Sequence, residues 1–504
     1  MHRSREDIQG LYESTKTRNS QLYSGPLNLV AQYNRSPLLS NGYIQFQVHS
    51  SPSTVLSTTM SDGSLYVRDS RTCREYEIPI RRNTVLATDL KQIKASPIGA
   101  NRADKVGDGL RVYDPGLQNT AVVETSMTYT DSDRGLLLFR GYSLEQLWHA
   151  EFEDMLHLMV WGKYPTPSQQ ESLRLTLATL MTRIPRHVSE VIERFPRSSP
   201  PMPMVLAGLS AYLADDVDAI PAFNGGNIYH GNPEKSDRAI LKTVAAYAVA
   251  VGLSCSHRRG TKFIPATADR TYFENLFTMM GLVEPFTEHP DPLKLSCFRR
   301  FAVLNADHGM ALSSFSCLVT ASSLADPVSC VVAALVSAYG PLHFGAPEAA
   351  YKTIQKVGTV DQVPAFLEEV KTGKRRLFGY GHRTYKTVDP RVKPIKDMLD
   401  ELDKGLDPDP LLQVAREIDR LSATDEYFLK RKLYANADFY GTFFFVALGF
   451  QPEEIPLAML SHRLVGIMAH YRECMLRRIR LFRPTHVYTG ETDPVQNMDV
   501  GSKL

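Results

Sequence analysis

The sequence predicts a mainly all-α protein of many helices, preceded by a small β-hairpin region, and three observations carry that prediction. From Ser143 almost to the C-terminus, apolar residues recur at helical spacing between capping signals and Pro/Gly/Asn-rich connections. Short alternating apolar and polar runs are confined to the segment before it. A chain of 504 residues with 43% hydrophobic content can bury a large core and is long enough for two structural units.

Residues 1–55 are rich in Ser, Asn, Arg and Gln and predict a poorly ordered polar arm. Residues 56–110 predict a small β-rich region, with Leu65-Tyr66-Val67-Arg68 and Glu75-Tyr76-Glu77-Ile78-Pro79-Ile80 flanking a polar Asp69-Ser70-Arg71 turn. Tyr113-Asp114-Pro115-Gly116 and the run Leu136 to Tyr142 read as further short extended pieces with turn signals. Ser143-Leu144-Glu145-Gln146 is a capping box that opens the helical part. Amphipathic stretches then follow Thr166-Pro167, Pro203-Met204, Asp237, Tyr272 and Pro292. Asp326-Pro327 caps a helix with Val328, Val331, Val332, Leu335 and Ala338 on one face, which stops at Gly340-Pro341; another starts near Pro347. The stretch Pro327 to Pro347 lacks charge, but its Pro, Gly, Ser and His content and its helix break mark a core hairpin rather than a bilayer span.

Lys plus Arg number 57 against 55 for Asp plus Glu, so no global basic field draws nucleic acid or membrane, and any anion binding is local. Six scattered cysteines without CxxC or metal-ligand spacing predict reduced thiols and no metal. Met1 to Gln21 has no apolar stretch of signal-peptide type. The tail, 491–504, closes on Ser502-Lys503-Leu504, a receptor-read peroxisomal address. No Walker loop, GxSxG elbow or GxGxxG fingerprint is present.

Candidate chemistry lies on polar turns. His343 and His382 sit on Gly-bounded turns, the second in Arg375-Arg376-Leu377-Phe378-Gly379-Tyr380-Gly381-His382, with Asp389-Pro390-Arg391 close behind. Two such imidazoles beside arginines suit acid/base work on a negatively charged substrate. His308, in Asn305-Ala306-Asp307-His308, is either a substrate donor or a turn residue. Asp438, ahead of an aromatic run, is either a base whose pKa is raised by burial or a helix cap. Arg463 and the run Arg477, Arg478, Arg480, Arg483 offer guanidiniums for carboxylates or form a solvated face.

Taken together and in order, these motifs resemble the citrate synthase family over roughly residues 60–490: Tyr113-Asp114-Pro115-Gly116, Phe139-Arg140-Gly141-Tyr142, Ala306-Asp307-His308, Gly340-Pro341-Leu342-His343, Gly379-Tyr380-Gly381-His382-Arg383, Asp389-Pro390-Arg391, Asp438-Phe439-Tyr440, Arg463 before Val465-Gly466, and Arg483-Pro484. The resemblance implies a multihelical two-domain fold, with a large helical domain of residues 111–344 and 451–490 and a small one, 345–450, that closes over oxaloacetate. It implies condensation of an acyl-CoA with oxaloacetate followed by thioester hydrolysis, with coenzyme A entering as a substrate thioester and no other cofactor. Asp438 is then the base, His343 the partner of the thioester and enol oxygen, and His382 the group that polarises the ketone. His308, Arg391, Arg463 and Arg483 hold the carboxylates, with Arg483 supplied across a homodimer interface. Arg375, Arg376, Gly379, Tyr380, Gly381 and Lys386 are the implied coenzyme A contacts.

Where the family commonly has Glu and Asn after the first histidine, this chain has Gly309 and Ala311; after His343, Phe344 and Pro347 replace a small residue and Asn. These changes remove hydrogen-bonding groups and add apolar bulk around the acyl pocket or His343. They favour an alkylcitrate synthase similar to fungal secondary-metabolism members. The alternatives are a peroxisomal citrate or methylcitrate synthase, or a binding scaffold without turnover.

Overall fold

The computed structural model describes residues 61–382, 385, 387–404 and 409–493. The polar arm, Lys386 and the Ser-Lys-Leu triplet lie outside the described residues. The chain divides into two compact units, Met1–Thr120 with Thr485–Leu504, and Ala121–Pro484.

In the first unit, β1 (Gly63–Asp69) and β2 (Arg74–Ile80) pair antiparallel, from Gly63 opposite Ile80 to Asp69 opposite Arg74. The hairpin closes on Asp69, whose carboxylate accepts from the Arg71 amide at 3.0 Å and from its guanidinium at 2.9 Å. That guanidinium holds the Asp69 carboxyl below the usual range. Tyr113 and Asp114 form no strand, whereas the turn signalled by Pro115-Gly116 is made: the Asp114 carboxylate accepts from the amides of Gln118 and Asn119, both at 2.9 Å.

The second unit opens with a three-stranded sheet in the order β3 (Thr128–Asp131), β4 (Leu136–Phe139), β5 (Tyr142–Ser143). The expected single run Leu136 to Tyr142 breaks because Arg140 and Gly141 both take positive φ. The helices follow as α1 (Leu144–Leu147), α2 (Phe152–Trp161), α3 (Pro167–Met181), α4 (Arg186–Glu193), α5 (Pro201–Ala214) and α6 (Pro233–Arg259). Next come α7 (Tyr272–Met280), α8 (Pro292–Asn305), α9 (Leu312–Ala321), α10 (Pro327–Ala338), α11 (Ala346–Val357) and α12 (Val363–Lys371). The last are α13 (Val392–Leu402), α14 (Pro410–Ser422), α15 (Glu426–Lys430), α16 (Ala437–Ala447) and α17 (Ile455–Leu476). The capping boxes at Ser143 and Thr166 and the Asp326 cap are all formed. Helix α6 begins ahead of the expected Asp237 because Asn232 caps it through the Lys235 amide.

Two helices make the centre. Every residue of α17 from Ile455 to Tyr471 is buried, so this helix shows no amphipathic stripe. Among the described residues α6 is long and apolar enough to cross a membrane, yet 83% of its apolar stretch is buried inside the protein.

The packing of α2 on α7 yields a stability prediction. Glu153, 1% exposed, accepts from the Tyr272 amide at the start of α7 at 2.9 Å. Burial pushes its carboxyl up to about 7. A folded-state pKa above the unfolded one gives stability that is full below the unfolded value and lost as pH rises through about 7. Glu153→Gln keeps the acceptor without the charge. It is expected to raise the melting temperature at pH 8, by the equivalent of at most about 3 kcal/mol, and to change little at pH 4. An equal effect at both pH values would refute the buried-charge account.

Candidate active site

The turn between α10 and α11 is fixed by its own backbone: the Phe344 amide reaches back to Ala338 O at 2.8 Å and the His343 amide to Gly340 O at 2.9 Å. The His343 ring therefore has a defined exit. Its Nε2 accepts from the Ser313 amide at 3.3 Å and lies 2.9 Å from Ser313 Oγ, at the start of α9. Because a backbone N–H can only donate, Nε2 is an acceptor and the ring proton belongs on Nδ1. Burial, with the charge of Arg463 adding to it, brings the His343 pKa down to about 3, so the ring is neutral at working pH. Phe344, buried, stacks against the imidazole with centroids 4.3 Å apart, and the Arg463 guanidinium lies 5.2 Å from the centre of the Phe344 ring.

Residues 379–381 lie along 434–436. The Gly381 amide donates to Tyr434 O at 2.8 Å, the Asn436 amide to Gly379 O at 2.9 Å, and Asn436 Nδ2 to Gly381 O at 2.8 Å. Gly379, at φ +79, is required: a Cβ there would sit 2.7 Å from that of Phe439. The close backbone approach made possible by this glycine is thus to the chain's own α16. At the far end of the segment, His382 Nδ1 accepts from the Tyr385 amide at 3.2 Å, which places the ring proton on Nε2. Its ring stands edge-on to that of His308 at 5.1 Å, and His308 Nε2 lies 3.3 Å from Tyr385 Oη. Burial, then the charges of Arg391 and Arg463, keep the His308 pKa well below the ordinary histidine value.

Asp438 stands in the first turn of α16. The cap is Asn436, whose Oδ1 accepts from the Asp438 amide at 2.9 Å, so the Asp438 carboxyl is not the helix cap. Burial raises it to about 6, against the pull of Arg391 and Arg463 and with the Asp389 carboxylate adding to the rise. Desolvation wins over two guanidiniums, and the result is a carboxylate basic enough to take a proton near neutral pH.

Arg391 is buried with Nε and Nη2 in a two-pronged pair to Asp389, at 2.9 and 2.7 Å. Asp389 also accepts from the Ala437 amide at 3.1 Å and so ties this pair to the start of α16. Arg463, in the middle of buried α17, donates from Nε to Asn305 O at 2.7 Å and from Nη2 to Asn305 Oδ1 at 2.8 Å. Its Nη1 is buried without a partner among the described residues. Burial lowers its pKa to about 10, so it stays charged. A buried cation with one unpaired edge is a place for an anion. Arg483 is exposed beyond α17, next to Phe482, whose amide bonds Ser322 Oγ at 3.2 Å and whose ring packs edge-on to Phe315 of α9.

A model of the citrate synthase C-terminal domain matches residues 116–485, and alkylcitrate synthase phiJ of a fungal species (strain ATCC 74256) is 49% identical over 88% of this chain and 97% of its own length. The chain belongs to the citrate synthase family. Alkylcitrate synthase tstJ of Talaromyces stipitatus is 46% identical, over 86% of this chain and 95% of its own. Among solved structures, citrate synthase of the archaeon Thermoplasma acidophilum, in ternary complex with carboxymethyl coenzyme A and oxaloacetate, superposes with a TM-score of 0.68 at 25% identity, over 75% of this chain and 97% of that one.

For a citrate synthase family member, the other expected contacts fall in different settings. Arg375 and Arg376 are exposed; the first pairs with Glu369 at 2.8 Å and the second lies 5.1 Å from the Phe378 ring centre. Tyr380 points inward, its hydroxyl donating to Asp419 at 3.2 Å. Of the residues that depart from the family pattern, Phe344 and Pro347 are buried, whereas Gly309 and Ala311 are partly accessible. Among the described residues, and apart from its two chain neighbours, no atom stands within 4 Å of where a Cβ on Gly309 would be. Sequence reading missed Ser313, the partner of His343; Asn305, the cradle of Arg463; Tyr385, which orients His382; and Asp389 as the brace of Arg391. Only Asp389 carried a signal, its position two residues before an arginine across a proline.

Proposed function

We propose that this enzyme condenses oxaloacetate with an acyl-CoA longer than acetyl-CoA and hydrolyses the resulting thioester, giving an alkylcitrate and free coenzyme A. The observation that carries this reading is the pairing of a carboxyl raised to about 6 at Asp438 with a neutral His343 whose proton sits on Nδ1. A thioester α-proton is removed near neutral pH only if the enol oxygen is stabilised in the same step. Asp438 takes the proton, and His343 Nδ1–H donates to the thioester oxygen. The enol carbon then attacks the ketone of oxaloacetate, polarised by the Nε2–H of His382, and the new alkoxide ends as a hydroxyl, so that the proton lost from the α-carbon is balanced by the one gained on oxygen. Water cleaves the thioester and the thiol leaves. His308, Arg391 and the unpaired Nη1 of Arg463 hold the two carboxylates.

The named relatives support an alkyl substrate. The open space at Gly309, next in the chain to His308, leaves room for the acyl chain, and Phe344 acts on the pocket through the His343 ring that it supports. Thiol release from acetyl-, propionyl-, hexanoyl- and decanoyl-CoA with oxaloacetate tests this. Fastest turnover with hexanoyl- or decanoyl-CoA is expected. Fastest turnover with acetyl- or propionyl-CoA would make it a citrate or methylcitrate synthase, and silence with all four alongside retained oxaloacetate binding would make it a scaffold.

The same proposal includes coenzyme A as a substrate thioester with no further cofactor, contacts to it from Arg375, Arg376 and the 379–381 segment, and closure of residues 345–450 over oxaloacetate. It includes a homodimer in which Arg483 completes the partner's site. The exposed Leu312 and Val319 on α9, Val336 on α10 and Tyr339 just past its end supply apolar surface for the second copy. A peroxisomal address at Ser502-Lys503-Leu504 belongs to it as well. Import of a fluorescent fusion with and without these residues tests that address.

A further inference from the structure

Behind the reaction centre, on α14, one carboxylate touches both segments that carry the proposed acid/base groups. Asp419 Oδ1 accepts from Tyr380 Oη at 3.2 Å, and Oδ2 accepts from Tyr440 Oη at 2.7 Å and from Lys396 Nζ of α13 at 2.6 Å. Tyr380 stands two positions before His382, and Tyr440 two positions after Asp438. The Lys396 ammonium also lies 4.6 Å from the centre of the Tyr440 ring. Tyr380 packs edge-on to Phe439 at 4.9 Å, and its backbone forms a β-bridge with Ala435. Burial first, and then Asp419, push both phenols above their ordinary pKa, so each remains a donor. The recess outside this cluster, lined by Lys396, Asp400, Arg416, Asp419 and Tyr440, is open to solvent and is separate from the groups that meet substrate.

We infer that Asp419 is a positioning residue for the condensation: it clamps Tyr380 and Tyr440 to one anchor and thereby holds His382 and Asp438 at a fixed separation. The inference rests on the acid/base reading above. Proton removal and carbonyl protonation occur on two substrates held together, and displacement by about 1 Å costs on the order of 100-fold in rate. A carboxylate with two oxygens can accept from both phenols at once, whereas an amide at this position offers one acceptor oxygen and a donor.

The test combines kinetics with amide hydrogen exchange, which needs no substrate. In Asp419→Asn, kcat is expected to fall about 10-fold while KM for oxaloacetate and for acyl-CoA changes less than about threefold. Protection of the Gly381 and Asn436 amides falls together, because both belong to the clamped ladder. Tyr440→Phe and Tyr380→Phe move the same quantities in the same direction, and adding Tyr440→Phe to Asp419→Asn costs little more. Should Asp419→Asn fail to fold, the two Tyr→Phe variants carry the same readouts. A kcat within twofold of the wild type, additive losses in the double variant, or unchanged protection at Gly381 and Asn436 would each overturn the clamp. Loss of Gly381 and Asn436 protection in Asp419→Asn, with the wild type itself showing no acyl-CoA turnover, would keep the clamp and sink the proposed reaction, so the two failures are distinguishable.

Discussion

Replacing Asp438 by asparagine is expected to lower kcat by about 10²–10⁴-fold, the range that a positioned general base contributes, while oxaloacetate affinity stays within about threefold. Asparagine has the same shape and leaves the Asn436 cap and the Asp389–Arg391 brace in place, but it cannot take the α-proton. The same assignment sets the pH profile. With Asp438 at about 6 and His343 already neutral, its pKa being about 3, kcat/KM rises with pH along a single acidic limb near 6 and levels off above it. The sign follows from the chemistry: a base works deprotonated, so activity is lost as pH falls through that value. Thiol release and calorimetric titration with oxaloacetate measure the two halves. A parallel loss of binding would turn Asp438 into a structural group, and a limb that persists in Asp438→Asn would assign it elsewhere.

Arg463→Lys is expected to weaken oxaloacetate binding by about 100-fold, because a point charge replaces a planar fork of which two nitrogens hold Asn305 and the third is left for a carboxylate. Lysine at this depth also leaves Asn305 acceptors without donors, a further cost of about 1–3 kcal/mol in stability. The measurement is the rise in melting temperature on adding oxaloacetate: the wild type shows it at a concentration where the variant shows none. An undiminished rise in Arg463→Lys would remove this guanidinium from the carboxylate site.

Helices announced by a cap and a proline were legible because those signals are local: Thr166-Pro167, Asp326-Pro327 and the Ser143 capping box act within one turn of backbone. The starts of α5 and α6 lie a few residues before those expected although prolines mark both and Asn232 caps the second, because each lies in a stretch with more than one proline or polar residue able to open a helix. The run Leu136 to Tyr142 was read as one piece because two positive-φ residues at its middle, one of them an arginine, leave little trace in composition. The histidines stood out on glycine-bounded turns, whereas Ser313 and Asn305 did not, since a serine at a helix start and an asparagine at a helix end are ordinary residues until another segment is laid against them.

By itself the sequence determined the helical class, most of the helices and the inventory of reactive groups, because capping, turn and helical periodicity depend on neighbours within a few positions. It also determined the family, through the order of motifs. The protonation states and the tautomers were decided only by the tertiary structure. The Asp438 carboxyl is raised because burial strips away water against the pull of two guanidiniums from distant segments, and the His343 proton belongs on Nδ1 because Ser313 occupies the other ring nitrogen; desolvation and long-range charge have no one-dimensional signature.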